Sequence, residues 1–421
     1  MDQVVRPARE AAFPHHGKPA LLRSINALSA LLEVRNSPIT ATQLSESTGL
    51  SRTAADSVLS GLVRQGWLVK TAAPVPPEGS PPGRPAARYA FNARAGFVLA
   101  ADIGAHHISA AVADLQGHVI TLKSVQADED APATDRLESA RAVVDATLAE
   151  AGVALESIAS VAVGSPGVID AGRVVHFGGN GMPGWIGTDI EQFFAGIFDG
   201  HVRVEGDCAL GALAERWIGA AQRFDNVVYV LSGIRTGAAV ISDGKLQRGA
   251  HGAVGLIGEL PELRWREIED EAYGDGVYHD DRPPRDELFR RALLNDARAR
   301  AAVDDFAAVL ALGISAMALA VDPDAVVIGG ASSPYVHQIR DRIEEGVRQR
   351  CPIAPPVLVS TLDSNAVLMG AVRLSLLQIE DLLRAAVQAG SPLPPPSALH
   401  TLAADQGVRP ARRAVSEAAV G

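Results

Sequence analysis

Cysteine is scarce in this chain: its 421 residues include only Cys208 and Cys351. Two thiols so far apart in sequence provide neither a disulfide framework nor a cysteine-based zinc site. In other respects the composition is that of a globular protein, because 47% of the residues are hydrophobic and 21% are charged, which excludes a mainly disordered or fibrous chain. The length exceeds that of one typical domain, so two or three domains are expected.

Long apolar stretches are also missing. The longest uncharged apolar run, 306–321, has 16 residues, whereas a membrane-spanning helix needs roughly 20, so we expect a buried, alanine-rich helix there. Residues 1–19 contain no apolar run that could act as a signal peptide. These absences predict a cytoplasmic protein without a membrane partner. Residues 1–19 and 391–421 are expected to be disordered.

The net charge of −11 is unevenly distributed along the chain. Residues 1–95 contain eleven Lys and Arg against six Asp and Glu, a net charge of +5, so residues 96–421 carry −16. A nucleic acid would therefore be attracted to the amino-terminal part and repelled by the rest of the chain.

Residues 20–92 have the pattern of a small helical domain. Apolar residues recur at three- and four-residue intervals from 21 to 34, as on one face of an amphipathic helix. Thr40 and Gln43 can form a capping box that opens a short second helix, and Ser51 can cap a third. This succession of helices predicts a helix-turn-helix, and a purely structural three-helix bundle is the alternative.

Segment 71–88 follows an apolar strand and is rich in Pro and Gly, so it is expected to form the tip of a wing or a linker. A wing after the third helix makes the domain a winged helix-turn-helix that binds an operator in double-stranded DNA. The side chains expected to contact DNA are polar or basic and are Thr42, Gln43, Ser51, Arg52, Thr53, Ser57 and Arg84.

Residues 93–390 change to the pattern of an α/β protein. An apolar strand over 97–104 ends in an acid and a glycine and is followed by a second strand over 107–114. The same order recurs at 227–231 and 237–242. The repeat predicts a duplicated α/β body with a cleft between two lobes.

Eight segments stand in a recognisable order over roughly residues 20 to 375. They read STGLSRTAADSVLSGLVRQGWL, PPGRPAARYAFN, VLAADIG, GSPGVID, NGMPGW, GDCALGALAE, DGKLQRGAHGAVG and VVIGG. Together they resemble the ROK family of repressors and sugar kinases, and a helix-turn-helix followed by Gly-Arg-Pro is similar to its repressor branch. The resemblance implies two ribonuclease-H-like lobes, as in actin and hexokinase, that form an effector-binding and dimerisation domain.

Several residues on which the family's kinases depend are changed in this chain. The phosphate-binding hairpin Asp-Ile-Gly-Gly-Thr of the family reads Asp102-Ile103-Gly104-Ala105-His106, so one glycine and the hydroxyl are missing. Gly329-Gly330 is retained where the family meets adenosine, and we expect it to serve packing. These changes predict that the body is not an active enzyme.

The family's catalytic base is matched by Asp207. Leu256 replaces a glutamate that holds sugar hydroxyls, and Glu259 replaces a histidine that joins three cysteines around zinc, so we expect neither a metal nor another cofactor. Asn180, Asp207 and Glu259 are the candidate effector-binding residues, in a pocket made partly apolar by Leu256. Asp207 has an alternative role as a helix cap.

The residues and the resemblance together predict a DNA-binding transcriptional regulator, a repressor, that acts as a homodimer or tetramer. Its kinase-like body would sense a sugar or another small ligand. Two other hypotheses stay open: an ATP-dependent sugar kinase that carries a DNA-binding head, and a regulator controlled by a protein partner without a small effector.

Overall fold

The computed structural model describes residues 19–71, 87–179, 181–232, 236–266 and 285–401. The chain forms two compact units. Of the described residues, those up to Ala95 together with Ile379–Leu399 form unit 1, and those of Gly96–Gln378 together with His400 and Thr401 form unit 2.

Unit 1 has the fold of a winged helix-turn-helix. Its helices are α1 (Pro19–Asn36), α2 (Ala41–Thr48) and α3 (Arg52–Gln65), and its strands are β1 (Ile39–Thr40), β2 (Leu68–Thr71) and β3 (Arg88–Phe91). Strand β3 lies in the middle of the sheet and pairs antiparallel with both neighbours. The predicted fold is thereby confirmed, whereas the tip of the wing lies outside the described residues.

The predicted helix caps are present in unit 1. The side chain of Thr40 accepts a hydrogen bond from the amide of Gln43 at 3.2 Å, and the side chain of Gln43 accepts one from the amide of Thr40 at 2.8 Å, which completes a capping box. The hydroxyl of Ser51 accepts the amide of Ala54 at 3.2 Å at the start of α3. These short-range bonds fix where the helices on either side of the turn begin.

The carboxyl-terminal end of the described chain corrects two predictions. The unit boundary falls within the last long helix, α10 (Ala366–Gln388), so the body does not extend to residue 390 as predicted. Residues 391–401 are not disordered, because Leu393 and Leu399 are buried. The indole N–H of Trp67 donates to the carbonyl of Pro394 at 2.8 Å, and the amide of the Gln65 side chain donates to that of Leu393 at 3.2 Å.

Unit 2 begins with a five-stranded sheet that forms its first lobe. The strands are β4 (Phe97–Ile103), β5 (His107–Asp114), β6 (Val119–Gln126), β7 (Ile158–Ser165) and β10 (His201–Gly206), in the order β10-β7-β4-β5-β6. Helix α4 (Ala133–Ala151) packs on this sheet, and the hairpin of β8 (Val168–Asp170) and β9 (Arg173–His176) precedes α5 (Ile190–Ala195).

A second five-stranded sheet forms the other lobe. Its strands are β11 (Val227–Ser232), β12 (Thr236–Ser242), β13 (Lys245–Gln247), β14 (Ala325–Gly329) and β15 (Val357–Val359), in the order β13-β12-β11-β14-β15. The helices of this part of the chain are α6 (Asp207–Trp217), α7 (Arg285–Leu293), α8 (Ala297–Val321) and α9 (Ser333–Arg348).

The two sheets have the same connectivity. In each, the first three strands pair antiparallel and two later strands add in parallel on the other side of the first strand. Parallel strands need a crossover, which α4 provides in the first lobe and α8 in the second. The predicted duplication of the α/β body is confirmed.

Helix α8 is the only helix in the described ranges that is long and apolar enough to cross a membrane. Its residues Leu310 and Ile314 are fully buried in a hydrophobic cluster with strands β11 and β14 and helix α9. Burial of this kind is typical of a core helix, so the predicted buried helix over 306–321 is confirmed.

The packing of residues 391–401 leads to a test by truncation. In a chain that stops after Gly390, the free energy of unfolding of unit 1 should be lower by about 3 to 5 kcal/mol. Such a chain lacks two buried leucines and the hydrogen bond to Trp67. Faster hydrogen exchange in α3 and β2 would show this. A chain that stops after Thr401 serves as the control, and equal exchange rates in the two truncated chains would contradict the prediction.

Candidate functional site

The helices α2 and α3 and the turn between them carry the predicted DNA-contacting residues at the surface. Gly49 ends α2 in the left-handed conformation, with φ of 73°, and the chain turns directly into the cap of α3. All the predicted contacts that lie in the described ranges are exposed, namely Thr42, Gln43, Ser51, Arg52, Thr53 and Ser57. Arg84 lies outside the described residues.

The caps divide these exposed residues into two groups. Gln43 and Ser51 use their side-chain oxygens to hold the helix ends. Thr42 on α2 and Arg52, Thr53 and Ser57 on α3 are exposed and do not cap a helix, whereas Ala55 and Leu59 of α3 are buried. We therefore expect this second group to provide the contacts with base edges and phosphates.

A basic side chain on the wing escaped the sequence analysis. Lys70 on β2 is exposed, and its ammonium nitrogen lies 5.7 Å from the centre of the Tyr89 ring on β3. In the sequence, Lys70 could be recognised only as the end of an apolar strand, and nothing indicated that it lies at the base of the wing. A cation held there is suitably placed for a phosphate contact.

The cleft of unit 2 has a cavity volume of about 160 Å³. The segments that follow β7, β9, β10 and β13, together with part of β12, form its walls. Its polar lining includes the ionisable side chains of His176, Glu205, Asp207, Arg248, Glu259 and Arg266, and its apolar lining includes Val168, Leu231, Val254 and Leu256. The mixed lining is typical of a pocket for a small organic ligand.

Asp207 lies in this cleft at the first position of α6. Its Oδ1 accepts the amide of Cys208 at 2.7 Å, whereas a helix cap serves amides two or three residues further on, and Gly206 occupies the cap position. Burial raises the pKa of Asp207 from 3.8 to about 6, and the nearby Asp102 carboxylate contributes to the rise. At about pH 6 the carboxyl group is therefore present both in a protonated form, which can donate a hydrogen bond, and in an ionised form, which only accepts.

Glu259 also lies in the cleft but is held by two basic neighbours. One of its oxygens is bonded to the guanidinium of Arg266, and the other lies 3.1 Å from Nε2 of His176. The hydrogen bond from Arg266 is the main reason that the pKa of Glu259 is lowered. Leu256, on the same turn, lines the cavity as predicted, whereas Asn180 lies outside the described residues.

A second ion pair on the cleft wall was missed by the sequence analysis. Glu205, at the end of β10, is buried and bonds through Oε2 to Nε of Arg248. Arg248 stands inside the segment DGKLQRGAHGAVG, after β13, and Glu205 directly precedes the segment GDCALGALAE. Their pairing depends on the meeting of distant segments, so spacing along the chain gave no signal for it.

The hairpin between β4 and β5 is stabilised by side chains of the protein. The carboxylate of Asp102 lies 2.9 Å from Nε2 of His107, and this hydrogen bond raises the pKa of the histidine. The buried guanidinium of Arg136 donates to the carbonyls of Gly104 and Ala105 at 2.7 and 3.0 Å. The carboxylate and the carbonyls of the turn therefore already have partners within the chain.

Gly329 has a packing role, as expected for Gly329-Gly330. The ring of the fully buried Tyr229 lies directly against it, and a side chain at residue 329 would collide with the tyrosine hydroxyl. Gly330 adopts a left-handed conformation, with φ of 88°, close to the carbonyl of Ser232. Both glycines are thus required by the protein interior.

Potential metal ligands do not cluster in the part of the chain that the structure describes: it contains no group of three His, Cys, Asp or Glu side chains that could hold an ion. His251 is exposed, and its Nδ1 lies 4.0 Å from a carboxylate oxygen of Asp170. Glu259 forms an ion pair with Arg266.

Comparison with known proteins agrees with this geometry. The sequence profile of the ROK family matches residues 98–263 and 271–377, which include both lobes. The chain belongs to the ROK family.

Relatives of this ROK protein include repressors and kinases. It is 22% identical to the xylose repressor of Bacillus spizizenii over 83% of this chain and 94% of the relative, and 23% identical to that of Bacillus subtilis with the same coverage. It is 25% identical to the N-acetyl-D-glucosamine kinase of Yersinia enterocolitica over only 42% of this chain and 67% of the kinase.

Solved ROK structures share the fold. A ROK family transcriptional regulator that is a homologue of the E. coli MLC protein aligns with 87% of this chain and 99% of its own, with a TM-score of 0.66 and 18% identity. A ROK hexokinase from Thermus thermophilus aligns with 68% of this chain and 99% of its own, with a TM-score of 0.57 and 25% identity.

The raised pKa of Asp207 predicts a pH-dependent stability. The carboxyl group ionises near pH 6 in the folded protein but near its ordinary pKa of 3.8 in the unfolded chain. The free energy of unfolding of the wild type should therefore fall as the pH rises from about 4 to 6. Asp207→Asn cannot ionise, so at pH 8 it should be more stable than the wild type by about 2 to 3 kcal/mol. Below about pH 4 the two proteins should be equally stable.

Urea unfolding at several pH values measures this difference. Asp243→Asn is the matched control, since Asp243 is exposed and lies in a left-handed turn that asparagine also tolerates. A stability difference for Asp207→Asn that does not change between pH 4 and pH 8 would show that the carboxyl group is not desolvated.

Proposed function

We propose that this chain is a cytoplasmic, DNA-binding transcriptional regulator that represses its target genes. The observation that carries the proposal is the fusion of a winged helix-turn-helix, with Arg52, Thr53 and Ser57 exposed on its recognition helix, to a ROK body. The two xylose repressors match this chain over 94% of their own length, which supports the same type of function.

The altered hairpin supports a regulator rather than an ATP-dependent sugar kinase. Phosphate binding on such a hairpin requires close approach of the ligand to backbone amides. Here Ala105 adds a side chain at the bend, and the first amide of the turn, that of Gly104, already donates to the carbonyl of His107 at 2.9 Å. The bonds of Asp102 and Arg136 stabilise this arrangement without a nucleotide.

We propose that the effector is a small sugar or a related molecule with fewer hydroxyls than a hexose. Asp207 would be the central polar contact, because its second carboxyl oxygen can accept or donate near neutral pH. Leu256 and Val254 offer an apolar wall where a hexose site would offer polar groups. A pentose fits this description, in keeping with the xylose repressors among the relatives.

Useful affinity for an operator requires two heads, since one recognition helix contacts only a few base pairs. We therefore propose that the regulator is a homodimer or a tetramer. Effector binding would change the distance or angle between the heads. Control by a protein partner without a small effector is the second candidate, and it is favoured by the ion pairs that occupy Glu205 and Glu259.

Arg52 provides the test of DNA binding. Arg52→Ala should weaken binding to an operator selected in vitro by about 1 to 3 kcal/mol, because it removes a cation from the first turn of the recognition helix. Fluorescence-anisotropy titration measures the affinity. Arg223→Ala removes the same charge from an exposed site in unit 2 and should bind as the wild type does. Equal affinities of the two variants would exclude Arg52 from the interface.

Sugars provide the test of the cleft. We expect D-xylose to raise the melting temperature of the wild type, because a ligand that binds only the folded state stabilises it, and to leave that of Asp207→Ser unchanged. Glucose, N-acetylglucosamine, mannose, fructose and xylose should give no ADP from ATP in a coupled assay.

Two results would contradict these expectations. Turnover that is lost in Asp207→Asn would establish the kinase, and the absence of a thermal shift with all five sugars would favour control by a protein partner.

A further inference from the structure

An acidic side chain lies among the basic and hydroxyl groups of the recognition helix. Asp56 is exposed on α3, one helical turn after Arg52 and next to Ser57. A carboxylate on a surface that meets phosphates is unfavourable for non-specific binding. Asp56 is therefore not suited to contact the DNA backbone, and we expect another role for its carboxylate on α3.

Asp56 is held by the wing sheet. Its Oδ1 accepts a hydrogen bond from the hydroxyl of Tyr89 at 2.9 Å. Tyr89 is only 2% exposed, and it lies on β3, the middle strand, where it pairs with Ile39 on one side and Lys70 on the other. Burial raises the pKa of Tyr89, so its hydroxyl remains a donor at physiological pH.

The bond to Tyr89 orients the carboxylate of Asp56. A free aspartate on a helix surface moves between rotamers, whereas this one is tied through one oxygen to a buried ring. The second oxygen belongs to the same planar group on an exposed side chain and can accept a hydrogen bond from outside. A fixed acceptor at the second turn of a recognition helix is a means of reading a base edge.

The chemistry of a carboxylate selects among the bases. In the major groove, cytosine presents the amino group at N4 as a donor, whereas guanine presents only acceptors and thymine presents an acceptor and a methyl group. A carboxylate accepts from the cytosine amino group and repels the acceptors of guanine. Adenine offers both a donor and an acceptor, which suits the amide of asparagine better than a carboxylate.

We infer that Asp56 is a specificity-determining residue that accepts a hydrogen bond from the amino group of a cytosine in the operator, and that Tyr89 is its positioning residue. This inference rests on the proposed DNA-binding function. Arg52, Thr53 and Ser57 would supply affinity, whereas Asp56 would distinguish between base sequences. Tyr89 would have a role beyond packing.

Selection from a random DNA library with the full-length protein tests the inference. For the wild type we expect a motif with one cytosine in each half-site that Asp56→Ala no longer selects, while the other positions of the motif are retained. The preference for this cytosine should fall about tenfold. Asp56→Asn should change the preferred base at the same position from cytosine to adenine, a result that a merely structural role would not produce.

Two further variants complete the experiment. Tyr89→Phe keeps the ring but removes the hydroxyl, and it should weaken the preference at the same position only. Glu46→Ala removes an exposed carboxylate from α2 and should leave the motif unchanged. Circular dichroism of each variant establishes that it is folded.

The outcomes separate the inference from the function on which it rests. If the wild type enriches no sequence at all, the DNA-binding function is wrong and the inference is lost with it. If the wild type and Asp56→Ala enrich the same motif, DNA binding stands and Asp56 is not a specificity residue. A change at every position of the motif in Asp56→Ala would likewise contradict a role in reading one base.

Discussion

Close packing around α6 is the constraint on which the cleft depends. Gly211 lies against the ring of Tyr229 on the second sheet, and Gly370 of α10 lies against the carbonyl of Leu210. A larger residue at Gly211 would collide with the ring of Tyr229, and one at Gly370 would collide with the backbone of Leu210. Because α6 is enclosed in this way, Asp207 at its first position is carried to the cleft and desolvated there. The chemistry of the carboxyl group thus follows from how tightly the helix is packed.

The cleft and the hairpin illustrate how one fold serves different chemistry. Strands β4 and β5 are arranged as in a two-lobed ROK kinase, but Asp102 bonds to His107 and the carbonyls of the turn bond to Arg136. Groups that would otherwise need a ligand or water are satisfied within the protein. The turn of this hairpin is thereby held by side chains of the chain itself, while the cleft remains open.

Local features of the molecule could be predicted from the sequence, and distant pairings could not. The capping box of Thr40 and Gln43 involves residues three positions apart, and the strands of the two lobes show in short apolar runs, so both follow from the pattern. Glu205 and Arg248 are 43 positions apart, and Asp56 and Tyr89 are 33 positions apart. Such pairs depend on the register of sheets and loops that the spacing of residues does not encode.

The division of unit 1 between both ends of the chain affects how the protein is made. During synthesis the winged helix-turn-helix leaves the ribosome before unit 2. The hydrogen bond between Trp67 and the carbonyl of Pro394 can form only after the body of unit 2 has been synthesised. Unit 1 therefore begins to emerge before the body but is completed only after it. A nascent or prematurely ended chain therefore lacks buried side chains, Leu393 and Leu399 among them, that complete the core of this unit.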